Sequence, residues 1–131
     1  MKLRQLGTSD IQISSVAMGC WPIAGITTLD ATRGEGLRTL EAAIDGGINF
    51  FDTATVYGDG ASESLLGRVF AENNLRDKTI IASKVPPNRM KPDEIQAECE
   101  ASLTRLQTDY LDLYQTHWTS REVPLADSWG A

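Results

Sequence analysis

Ile48-Asn49-Phe50-Phe51-Asp52 decides the fold of this chain, through its own pattern and through what stands on either side of it. The run is apolar and aromatic and ends on a carboxylate, so it reads as a buried strand. Upstream, Leu37, Leu40 and Ile44 recur at helical spacing in a segment from about Thr32 to Asp45, and Gly46-Gly47 stops it. Gly34 and Gly36 weaken the first turn of that helix. Downstream, Leu65, Leu66, Val69 and Phe70 mark one face of a second helix, with Ser62 as its expected N-cap.

The same alternation continues outward. Thr79 to Val85 is a third main strand closed by Pro86-Pro87, and Pro92, Asp93 and Glu94 open a third helix whose expected buried stripe is Ile95, Cys99, Leu103 and Leu106. Leu111 to His117 is a fourth strand, and the segment from Pro124 leads toward a fourth helix whose body is not in the sequence. On the N-terminal side, residues 2–6 and 11–14 flank the turn formers Gly7-Thr8-Ser9-Asp10 as a short hairpin. A small first strand, Ser15 to Gly19, ends before Trp21-Pro22. Strands joined by single helices pair in parallel through right-handed crossovers, which leaves a doubly wound sheet or a barrel.

Composition narrows the function classes. With 12 Lys and Arg against 18 Asp and Glu, a net charge of −6 disfavours nucleic acid and anionic membrane as partners and suits a small or neutral ligand. Cys20 and Cys99 form no C-x-x-C pair, so neither a disulfide framework nor a metal site is expected, and a reducing cytoplasm is the expected location. No apolar stretch approaches the ~18 residues of a membrane span.

Asp52, Tyr57, Lys84 and His117 fall at or just after the C-terminal ends of strands, which in a parallel barrel all open onto one face. Each alone has an ordinary structural reading: a turn, a packed aromatic, a solvated strand end, a satisfied histidine. Their joint placement points to a site. Asn49-Phe50-Phe51-Asp52-Thr53-Ala54-x-x-Tyr57-Gly58, with Ser62-Glu63-x-x-Leu66-Gly67, resembles the signature of the aldo-keto reductases. Ile80-Ile81-Ala82-Ser83-Lys84-Val85 and Asp109-Tyr110-Leu111-Asp112-Leu113-Tyr114-Gln115-Thr116-His117-Trp118 are similar to that family's other two catalytic segments in order and spacing.

The resemblance implies an NADPH-dependent enzyme, with NADH as the alternative cofactor, that reduces a small aldehyde or ketone on an α/β fold, a (β/α)8 TIM barrel. This chain would be the N-terminal half of the barrel with a β-hairpin, residues 1–131 forming about four βα units and breaking off at the start of helix four. Hydride addition leaves charge on the carbonyl oxygen, so a proton donor must stand within hydrogen-bond reach. The resemblance assigns that role to Tyr57, beside a Lys84 ammonium that stabilises the phenolate, an Asp52 that holds Lys84 charged, and a His117 that orients the carbonyl. It further implies that Gly19, Cys20, Trp21 and Asp52 lie along the cofactor, and that Trp21 and Trp118 wall the substrate pocket.

Two competing readings remain. Gly58-Asp59-Gly60-Ala61-Ser62-Glu63 stands between a strand and a helix like a dinucleotide fingerprint, but Glu63 occupies the third glycine position and residues 53–57 intervene before the glycines. A full barrel takes ~250 residues, so the chain is also consistent with a catalytically silent half-barrel or interaction module. As an enzyme, by contrast, it would have its remaining half supplied by a longer gene product, by a complementary half-barrel on a second polypeptide, or by self-association with another copy.

Overall fold

The computed structural model describes residues 1–25 and 33–131. Its N-terminal hairpin is β1 (Leu3–Gln5) and β2 (Gln12–Ser14), antiparallel with Leu3 opposite Ser14. The main sheet holds β3 (Met18–Gly19), β4 (Phe50–Asp52), β5 (Ile80–Val85) and β6 (Leu113–Thr116), all parallel and in sequential order. Between them lie α1 (Arg33–Asp45), α2 (Ala61–Glu72) and α3 (Pro92–Leu106), and a short α4 (Leu125–Trp129) follows β6. A doubly wound sheet reverses its strand order at a switch point. Here the order runs straight through, which is the topology of a barrel wall and eliminates the dinucleotide-fold reading.

Strand alternation divides the sheet into two faces. Phe51 and Ile81 are fully buried against the helices, where they pack with Leu40 of α1 and Leu66, Val69 and Phe70 of α2. Burying side chains of this size stabilises by about 1.5–3 kcal/mol each. The register pairs Phe50 with Ile80, Asp52 with Ala82, Ala82 with Leu113 and Lys84 with Gln115, so these residues share the opposite, barrel-facing side. The expected strands are longer than the observed ones at several ends. Asn49 precedes β4, for example, and its side chain ties the hairpin to the sheet, accepting from the Ser14 N–H at 2.6 Å and donating to the Gln12 carbonyl at 2.9 Å.

Two local expectations need correction, and one gains a further cause. Thr32, the expected start of the first helix, lies outside the described residues, but Gly36 is placed there by contact: a Cβ at this position would meet the Ile23 carbonyl oxygen at 2.9 Å. Close approach to Ile23 gives a reason for glycine here although it weakens the turn. In α3 only Leu106 of the expected stripe is fully buried; Ile95, Cys99 and Leu103 are half-buried, and Ser102 takes the deepest position. The reason lies across the interface at Gly67, where a Cβ would come within 2.5 Å of the Arg105 carbonyl oxygen. The two helices touch there at backbone distance, which draws the C-terminal half of α3 inward. Finally, Ser62 is not an N-cap. Gly60 holds that position with φ 85°, and Ser62 is buried one turn-start later.

Candidate active site

Parallel strands deliver their C-terminal ends to one rim, and the four residues singled out by sequence meet there. Asp52 ends β4, and its carbonyl accepts from the Cys20 N–H at 2.8 Å. Lys84 is the fifth residue of β5, one face-period beyond Ala82. His117 follows β6 directly, with its N–H bonded to the Val85 carbonyl at 3.0 Å, so the ladder continues past the strand and carries the ring to the rim. Tyr57 comes from the turn between β4 and α2, closed by its N–H to the Ala54 carbonyl at 3.0 Å.

The Lys84 ammonium is the centre of the group. Its three N–H bonds have three acceptors: Asp52 Oδ1 at 2.5 Å, the Thr53 carbonyl at 2.8 Å and the Tyr57 phenol oxygen at 3.4 Å. An ammonium so placed is fully satisfied although its side chain is only 13% exposed, and this is what makes its partial burial tolerable. Because the phenol accepts from Lys84, the phenol's own proton is left for another acceptor.

A row of rings runs across the rim. Trp21 stacks on Tyr57 at 6.2 Å between centroids, Tyr57 meets His117 edge-on at 5.6 Å, and His117 lies flat on Trp118 at 4.0 Å. The two outer members are 52% and 62% exposed, so both indoles present apolar surface beside the polar centre. Trp118 also lines a cavity of about 710 Å3 with Met90, Lys91, Glu94 and Arg121. Burial, reinforced by the Lys84 cation and opposed by Asp52, lowers the His117 pKa below the usual imidazole value of 6.5 and favours the neutral ring. Its Nδ1 is buried without a protein partner among the described residues.

Cys20 is fully buried at the end of β3, and burial together with the Asp52 charge pushes its thiol up to about 12. The sulfur is inert at neutral pH. What residues 19–21 offer to a ligand is therefore backbone and the Trp21 ring. A Cβ at Gly19 would meet nothing within 4 Å, so the floor beside Asp52 is open.

The sequence profile of the Aldo/keto reductase family matches residues 15–131. The chain belongs to the aldo/keto reductase family. It is 35% identical to Aldo-keto reductase YhdN of Bacillus subtilis over 98% of this chain and 41% of that protein. Among solved structures, the thermostable aldo-keto reductase Tm1743 superposes with a TM-score of 0.89 at 36% identity, covering 99% of this chain and 47% of that one. An aldo-keto reductase from Klebsiella pneumoniae in complex with NADPH gives 0.79 at 34% identity, covering 91% and 40%. The chain thus spans less than half the length of these relatives, and its four parallel strands are part of a TIM barrel of that family.

The layer behind the rim was not legible in the sequence. Ser62 donates to the Cys20 carbonyl at 3.0 Å and lies 2.9 Å from the Thr53 hydroxyl. Glu63, also fully buried, accepts from Ser83 Oγ at 2.5 Å and from Arg105 Nε at 2.6 Å. A serine and a glutamate near a helix start read naturally as capping residues. The signal against that reading is the tight sequence of Gly58, Asp59 and Gly60, all with positive φ, which delays the helix until Ala61.

Proposed function

We propose that this chain supplies the catalytic rim of an NADPH-dependent reductase of aldehydes or ketones. The observation that carries the reading is the Tyr57 phenol held as an acceptor by Lys84, which leaves its own proton directed elsewhere. The donor set suits a nicotinamide cofactor: an open floor at Gly19, an orphaned buried nitrogen on His117 and flat aromatic walls. When bound, that cofactor supplies the hydride.

The chain's own groups do the rest. Asp52 and the Thr53 carbonyl keep Lys84 charged and aimed. Lys84 stabilises the oxygen of Tyr57 as its proton moves to the substrate oxygen, and the neutral His117 shares the charge developing there. Trp21 and Trp118 exclude water from the reacting carbonyl, and the backbone of Gly19 and Cys20, with Asp52, would hold the cofactor. Contacts to the cofactor's phosphates and adenine, which the family resemblance implies lie outside these strands, would come from polypeptide that completes the barrel, in the same product or in a complementary half-barrel.

Tyr57→Phe tests this reading in the polypeptide as its gene encodes it. Loss of a single general acid lowers kcat by about 10² to 10⁴ while cofactor affinity stays near parental. NADPH-dependent turnover of an aldehyde at the parental rate would remove Tyr57 from the mechanism.

A further inference from the structure

Ser62 has no part in the reading above, yet it touches three of the segments that build the rim. Its side chain is fully buried on the second residue of α2. The backbone N–H donates to the Tyr57 carbonyl at 3.2 Å. The hydroxyl donates to the Cys20 carbonyl at 3.0 Å. A serine hydroxyl has one proton, and a carbonyl can only accept, so the 2.9 Å contact with Thr53 Oγ1 must be a bond that Thr53 donates. Its hydroxyl proton and its backbone N–H are both used in fixing segments that build the rim.

Each of these loops ends in a group of the site. Thr53 is pinned twice more, by its N–H to the Ala82 carbonyl at 2.8 Å and by its carbonyl to the Lys84 ammonium at 2.8 Å. Cys20 precedes Trp21, which stacks on Tyr57. Tyr57 is the phenol itself. A helix-capping role would satisfy the first N–H groups of α2; instead Ser62 spans the strand ends.

We propose that Ser62 is a positioning residue: its buried hydroxyl ties the Thr53 side chain to the Cys20 carbonyl, on a residue whose backbone N–H holds the Tyr57 carbonyl, and so sets the Lys84–Tyr57 distance and the Trp21 ring. This rests on the reading of Tyr57 as proton donor. The clamp acts through Lys84 and Tyr57 and touches no reacting atom. Its loss is felt in the transition state, where a phenol displaced from the carbonyl oxygen transfers its proton poorly.

The test compares Ser62→Ala, Ser62→Thr and Thr53→Val in the polypeptide as its gene encodes it, with an aldehyde substrate and NADPH. Ser62→Ala lowers kcat about tenfold, as expected of one buried hydrogen bond converted into barrier height, with substrate KM within about twofold of parental. Ser62→Thr keeps the hydroxyl and restores kcat. Thr53→Val keeps its volume, loses the donor and reproduces the kcat defect, and it stands in if Ser62→Ala does not fold. Parental kcat in the folded hydroxyl-free variants overturns the proposal, as does a kcat loss that Ser62→Thr shares in folded protein. Tyr57→Phe run alongside separates the two ideas: if it is inactive while Ser62→Ala is parental, the clamp alone fails. If Tyr57→Phe retains turnover, the proton-donor reading fails and takes the clamp with it.

Discussion

The central sheet carries an ion pair at each rim, and the two are built to opposite ends. At the N-terminal rim, Arg76 bonds Asp112 at 2.9 Å, Thr108 Oγ1 at 3.0 Å and the carbonyls of Thr79 and Tyr110 at 2.8 and 3.0 Å, with its guanidinium 3.7 Å from the centre of the Tyr110 ring. Asp112 in turn accepts from the Ile81 N–H at 2.9 Å. Every partner is structural. At the C-terminal rim, Lys84 spends one of its three bonds on a phenol that faces the open side of the sheet. The first arrangement locks β5 to β6; the second holds a proton-bearing group in place. In barrels of this kind, function gathers at the C-terminal ends of the strands and stability at the other face.

Replacing the cation at each rim separates these roles. Lys84→Met lowers kcat by about 10² to 10³ if, as proposed, it removes the group that stabilises charge on Tyr57, while the melting temperature changes little. Steady-state rates beside a calorimetric melt check this, and parental turnover would dissolve the distinction between the rims. Arg76→Met does the converse. It leaves Asp112 partly buried without its charge partner and destabilises the fold by about 3 kcal/mol, read by urea denaturation, with kcat per folded molecule near parental.

The smallest effect is the most local. The chain has one histidine, so its imidazole resonance in proton NMR belongs to His117 alone. Lys84→Met relieves the cation that helps lower the His117 pKa and leaves the opposing Asp52 carboxylate, so the titration moves upward; Arg76→Met leaves it in place. The sign carries through to stability. A histidine whose folded pKa is depressed contributes stability that is present above the unfolded value near 6.5 and lost as pH falls through the folded one. An unmoved titration in Lys84→Met would mean that burial alone sets the His117 pKa.

Much of this protein was legible in its residues. The alternation of apolar strands with helices having one apolar stripe requires parallel pairing, because a crossover helix carries the chain back to the end where the strand began. Parallel pairing in turn puts Asp52, Lys84 and His117 on one rim. Residue order therefore determined the parallel pairing and the common rim, while the choice between a doubly wound sheet and a barrel wall was decided by the strand order β3-β4-β5-β6. Tertiary packing decided the rest. Which faces of α3 are buried depends on where Gly67 lets α2 approach it, and periodicity within α3 has no information about that. Whether Ser62 caps its own helix or clamps three distant segments depends on the partners within reach of its hydroxyl. A hydrogen bond is chosen by distance in space, and Cys20 lies 42 positions away along the chain.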